Sequence, residues 1–154
     1  MKPQYANLQV DCWVHHGKLG WSPTSLCLGR DSIHEGSEIL AALQELKAEN
    51  FPGRLQLTLA NRRNEGSVTS LRLMHVPARD DLRVMCIRFE SGSATIEMTD
   101  IGLRLMIDAV GQWLKGAEDF GVSPRNSPLK PKDLGDLDRL SAELWFWGPC
   151  YAGP

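Results

Sequence analysis

Apolar residues at 8, 10, 12 and 14 alternate with Gln9, Asp11, Trp13 and His15, the period of a strand with one buried face. Trp13 falls on the polar side of that alternation. A turn through Gly17, Gly20 and Pro23 leads to a second short strand at Ser25-Leu26-Cys27-Leu28, and the two predict a hairpin with a long loop. Ser32-Ile33-His34-Glu35 has the capping-box form, in which the hydroxyl accepts from one free backbone N–H and the carboxylate reaches back to another. The stripe Ile39, Leu40, Leu43 and Leu46 then predicts an amphipathic helix, ended by Pro52-Gly53.

Leu55, Leu57 and Leu59 alternate with polar neighbours, 61–66 is a polar turn, and 68–76 returns antiparallel as the second arm of a hairpin. In 82–90, Met85, Ile87 and Phe89 share one face and Val84, Cys86 and Arg88 the other; the Ser91-Gly92 turn then brings back 93–98, with Ala94, Ile96 and Met98 toward the core. These strands predict a continuous meander. Thr99 caps a second helix with Asp100 in its first turn, and its buried stripe is Leu103, Met106, Ile107, Val110, Trp113 and Leu114, with Gly116 beyond its end. Three prolines between 123 and 132 predict an extended connection, and alternation over 140–147 predicts a last strand, although Leu134, Leu137 and Leu140 leave a short helix open at its start.

The expected fold is α+β, one domain over 1–154: a mainly antiparallel sheet with two amphipathic helices packed on one face and the other face partly open. The stretch before residue 50 and the stretch 84–115 both read as two strands and a capped helix, a ββα unit used twice. Hairpin-plus-helix is a common way to cover a sheet, so the repetition alone does not establish a duplication.

Composition narrows the function more than it identifies it. A chain of 154 residues, 42% hydrophobic and 23% charged, is long enough to be stable on its own core without metal or disulfide. Seventeen Lys and Arg against nineteen Asp and Glu leave a net charge of −2, which gives no overall electrostatic footprint for nucleic acid or an anionic membrane. No stretch approaches the roughly 20 apolar residues that span a bilayer. Gln9, Asp11 and His15-His16 interrupt any signal-peptide apolar region, and the cysteines at 12, 27, 86 and 150 form no C-x-x-C pair. The expected location is the cytoplasm.

Chemistry-bearing residues are scattered. Cys12, His15, His16, Cys27 and His34 are the candidate zinc donors, but their spacing fits no ligand knuckle, and Cys12 and Cys27 read more simply as small core residues. Asp11, His15, His34 and Glu35 are the candidate acid/base residues of a dispersed hydrolase or transferase site. Ser32 and Glu35 already have an account as helix caps. Serine elbows and glycine-rich phosphate loops are absent, and no cofactor is expected. The compositional excess is aromatic: of five tryptophans, Trp113 lies on a core stripe, while Trp13, Trp145 and Trp147 lie on non-core strand faces and Trp21 in a turn. An open sheet face bearing Trp13, Trp21, Trp145 and Trp147 is a candidate contact surface, and its alternative is a face covered by the chain's own 123–132 segment.

Ala94-Thr-Ile-Glu-Met-Thr-Asp-Ile-Gly102, with Leu103, Leu105 and Gln112-Trp-Leu-Lys-Gly-Ala-Glu-Asp-Phe120, resembles small bacterial immunity proteins of polymorphic-toxin systems, in which a strand runs into a Gly-Leu-headed helix closed by a similar segment. The resemblance covers roughly a quarter of the chain and implies a cytoplasmic, non-catalytic protein that binds one protein partner. It carries over no functional residue. Three functions therefore stand as expectations: a non-enzymatic protein-binding domain of the immunity or accessory kind, a small hydrolase or transferase, and a homodimer that uses a sheet edge or aromatic face as its subunit interface.

Overall fold

The computed structural model describes residues 5–6, 8, 10–15, 25–29, 37–48, 52–59, 68–115, 120–122 and 143–147. Among these are eight strands and two helices: β1 (Asp11–His15), β2 (Ser25–Gly29), α1 (Ser37–Ala48), β3 (Gly53–Thr58), β4 (Ser70–His75), β5 (Met85–Glu90), β6 (Ser93–Met98), α2 (Asp100–Leu114), β7 (Phe120–Val122) and β8 (Glu143–Trp147). The fold is α+β, and the strands form two four-stranded sheets, ordered β1-β2-β8-β7 and β3-β4-β6-β5.

Each predicted hairpin forms: β1 with β2, β3 with β4, and β5 with β6 all pair antiparallel. The meander does not. β4 pairs in parallel with β6, so β5 lies outside β6 at the sheet edge. The connection 76–84, closed on itself by the Arg79–Leu82 bridge, is too long for a tight hairpin and carries the chain past the slot beside β4. The two-residue turn at Ser91-Gly92, with Gly92 at φ 73°, then returns β6 into that slot. Burial suits the result, because Ala94, Ile96 and Met98 of the central strand are all buried whereas Phe89 of the edge strand is half-buried.

The ββα repetition continues through two further strands in each half. β1-β2-α1-β3-β4 and β5-β6-α2-β7-β8 are two ββαββ halves, and each sheet joins the first strand pair of one half, in parallel, to the second strand pair of the other. The halves thus exchange strands. The three residues of β7 are too few to show alternation in the sequence.

Both helices pack against the β3-β4-β6-β5 sheet and against each other. One contiguous core takes residues from both sheets and both helices, including Leu28, Phe146, Leu43, Leu73, Ile96 and Trp113. Thr99 caps α2 as expected, its hydroxyl accepting from the Gly102 N–H at 3.3 Å and donating to the Arg83 carbonyl at 2.8 Å. The Ser32–Glu35 box, Gly116 and the 123–132 segment lie outside the described residues.

Leu43 is fully buried, whereas Ile107, on the expected stripe of α2, is only partly so. Leu43→Ala is therefore expected to cost about 2 to 5 kcal/mol in a denaturant titration, and Ile107→Ala a smaller roughly 1 to 2 kcal/mol. Equal costs for the two would mean that the face of α2 turned to the sheet has been misassigned.

Candidate functional site

The sequence-derived residues divide by position. Cys12 pairs with Leu28 and Trp13 with Cys27, so Cys12 and Cys27 occupy opposite faces of the β1-β2 hairpin and cannot ligate one ion. No group of three or more His, Cys, Asp or Glu is placed to hold a metal among the described residues. Asp11 and His15 sit at the two ends of β1, about 13 Å apart along the strand, which separates two of the four candidate acid/base residues. His16, His34, Glu35 and Trp21 lie outside the described residues, as do the side chains of Asp11, His15 and Trp147.

Trp13, Cys27, Trp145 and Gly121 align as one row across the first sheet, on the face opposite Cys12, Leu28 and Phe146. Trp13 is only 7% exposed and Cys27 3%, and Trp145 is half-buried. The expected open aromatic face is thus covered at Trp13 and Cys27.

The second sheet has an outer row of opposite character. Arg88, Thr95, Arg72 and Gln56 align across it, one residue from each strand. Arg54, Met74, Glu97 and Cys86 form the next row, and Thr58, Ser70, Ser93 and Glu90 the row on the other side. Alternation directs all of these away from the helices, since Leu57, Leu71, Leu73, Ile96 and Met85 take the inner face. Arg54, Arg72 and Arg88 are exposed.

Two electrostatic environments share this outer face. Toward β5, the Glu97 carboxylate is mostly buried, at 12% exposure, with Arg88 Nη2 2.8 Å and Arg79 Nη2 3.6 Å away; Arg79 in turn meets Asp81 at 2.7 Å. The Glu97 Oε1 contact with Arg88 is close enough for an ion pair but lacks hydrogen-bond alignment, so its strength is Coulombic. The Arg88 pKa is raised, first by its hydrogen bond with the Cys86 side chain and then by Glu97. Toward β3, no carboxylate compensates: Arg54 and Arg72 have no ion-pair partner among the described residues. They occupy diagonal positions on adjacent strands, about 7 to 8 Å apart at the backbone. A cleft of about 340 Å³ lies between them, lined by Arg54, Leu55, Gln56 and Arg72, and Gln56 Nε2 donates to Ser70 Oγ at 2.9 Å beside it.

A second cleft, of about 410 Å³, is lined by Lys47, His75, Asp100, Leu103 and Arg104. His75 occupies an inward position at the end of β4 and is buried; its Nε2 lies 2.6 Å from Oδ1 of Asp100, at the first residue of α2. A histidine with a carboxylate at its ring nitrogen is the orienting half of many acid/base sites. Here the described lining residues supply no hydroxyl or thiol to serve as nucleophile, and the contact ties β4 to the start of α2. Sequence reasoning missed the pair because 25 residues separate its members. The available signal was His75 in the apolar phase of Leu71 and Leu73.

No protein-family model matches the chain, and no curated protein or solved structure matches it. No helix among the described residues is long and apolar enough to cross a membrane.

Proposed function

We propose that this is a non-enzymatic protein-binding domain, of the immunity or accessory kind, whose contact surface is the outer face of the β3-β4-β6-β5 sheet. The observation that carries the reading is the exposed arginine row. The fold does not require it, because the outer face of the sister sheet carries a row, Trp13, Cys27 and Trp145, that is buried or half-buried. Short side chains at Thr95, Ser70, Ser93 and Thr58 stand between and beside Arg72 and Arg88, so a partner surface can approach these guanidinium groups. Arginine is among the residue types enriched where interfaces concentrate their binding energy.

A photo-crosslinking residue placed at Thr95, in the middle of this face, tests the reading in cells of the source organism. It is expected to trap one defined protein that is not trapped from Gln44, an exposed position on α1. Purified, that protein should bind the wild-type chain and lose at least tenfold in affinity to Arg72→Glu. Equal labelling from both positions, or no adduct from Thr95, would overturn the proposal. An adduct between two copies of the chain would make the face a subunit interface instead.

A further inference from the structure

The geometry points to an acidic protein segment as the occupant of this face, with one of its carboxylates seated in the cleft between Arg54 and Arg72; the inference rests on the protein-binding reading and specifies its chemistry. Two guanidinium groups held on diagonal positions of neighbouring strands repel each other, and neither has a carboxylate within the described structure to relieve that repulsion. The contrast with the other end of the same face is informative. There Arg88 and Arg79 are neutralised internally by Glu97 and Asp81, so the fold does supply counter-ions where it closes a charge network.

The chain as a whole carries a net charge of −2, so two neighbouring arginines with no carboxylate partner among the described residues are a local reversal of the overall charge. Each offers a planar fork of N–H donors that matches a carboxylate bidentately, and the cleft between them lies on β3, the edge strand in its sheet's order. Gln56, in register with Arg72, adds an amide carbonyl and an N–H already committed to Ser70. Glu90 lies in the row beyond Arg72 on the far strand, and Glu97 is held in its own network, so neither is placed to compete for the cleft.

A glutamate hexapeptide is the probe, titrated into the isotope-labelled full chain while the arginine Nε–H signals are followed by NMR. Saturable shifts at Arg54 and Arg72, smaller at Arg88, are expected. The double variant Arg54→Gln, Arg72→Gln should weaken hexapeptide binding at least tenfold with its melting temperature unchanged, while Lys115→Gln, an exposed charge at the end of α2, should leave binding as it was. Shifts spread evenly over exposed cations, or equal losses in the two variants, would overturn the site. So would an oligodeoxythymidine of the same charge binding more tightly than the hexapeptide, which would make the face a phosphate-backbone reader. The two proposals fail separately. A protein trapped from Thr95 that binds the double variant as tightly as wild type removes the carboxylate anchor and leaves the binding-domain reading standing.

Discussion

Gly102→Ala is expected to destabilise the protein by about 3 kcal/mol or more, at the upper end of what overpacking costs. The position is three residues into the segment headed by Thr99, where α2 comes down directly onto the backbone ahead of β5. Thr99 donates its N–H to the Val84 carbonyl at 3.0 Å and its hydroxyl to the Arg83 carbonyl at 2.8 Å, which fixes the helix start against that segment. A Cβ on Gly102 would lie 1.9 Å from the Val84 oxygen and 2.8 Å from its carbonyl carbon. Those are backbone atoms and cannot rotate aside, so relief requires α2 to lift and the Thr99 cap to break. Gly111, further along the same helix, is the internal control. A Cβ there meets nothing within 4 Å, so Gly111→Ala should gain about 0.5 to 1 kcal/mol from helix propensity alone. Denaturant titration of the two variants checks the argument by sign. If Gly102→Ala is neutral or stabilising, α2 does not approach Val84 this closely.

Local order was legible in the sequence, and long-range order was not. The stripes Ile39-Leu43-Leu46 and Leu103-Met106-Val110-Trp113, the Thr99 cap and the Gly92 turn each depend on residues close together in the chain, and each is where the spacing put it. The parallel pairing of β4 with β6 and of β2 with β8 depends on which strand wins a slot, and alternation carries no information about that. The site was lost for the same reason. Arg54, Arg72 and Arg88 each read as the ordinary polar side of a separate strand, and they become one charged face only when the order β3-β4-β6-β5 is known. The tryptophan excess is visible in composition, yet Trp13 is buried on the outer row of its sheet.

Strand exchange also decides which single side chain the core can least lose. Trp113→Ala is expected to cost about 3 to 5 kcal/mol, the range for removing a large aromatic from a core. Trp113 is fully buried on the last turns of α2, and its ring stacks at a tilt on Phe146, with centroids 5.4 Å apart and planes at 52°. Phe146 stands in β8, in register with Leu28 of β2, at the parallel junction between strands from the two halves of the chain. α2 otherwise packs on the other sheet, so this ring contact is a bridge from the helix layer to β1-β2-β8-β7. Truncation therefore opens a cavity at a seam that has no local sequence contacts to hold it closed. The expected signature is a loss of stability together with a disproportionate loss of amide-exchange protection in β2 and β8 relative to β4 and β6. Trp113→Phe retains an aromatic against Phe146 and should recover more than half of the loss. A uniform loss of protection across both sheets would show that Trp113 fills general core volume rather than joining α2 to the exchanged strands.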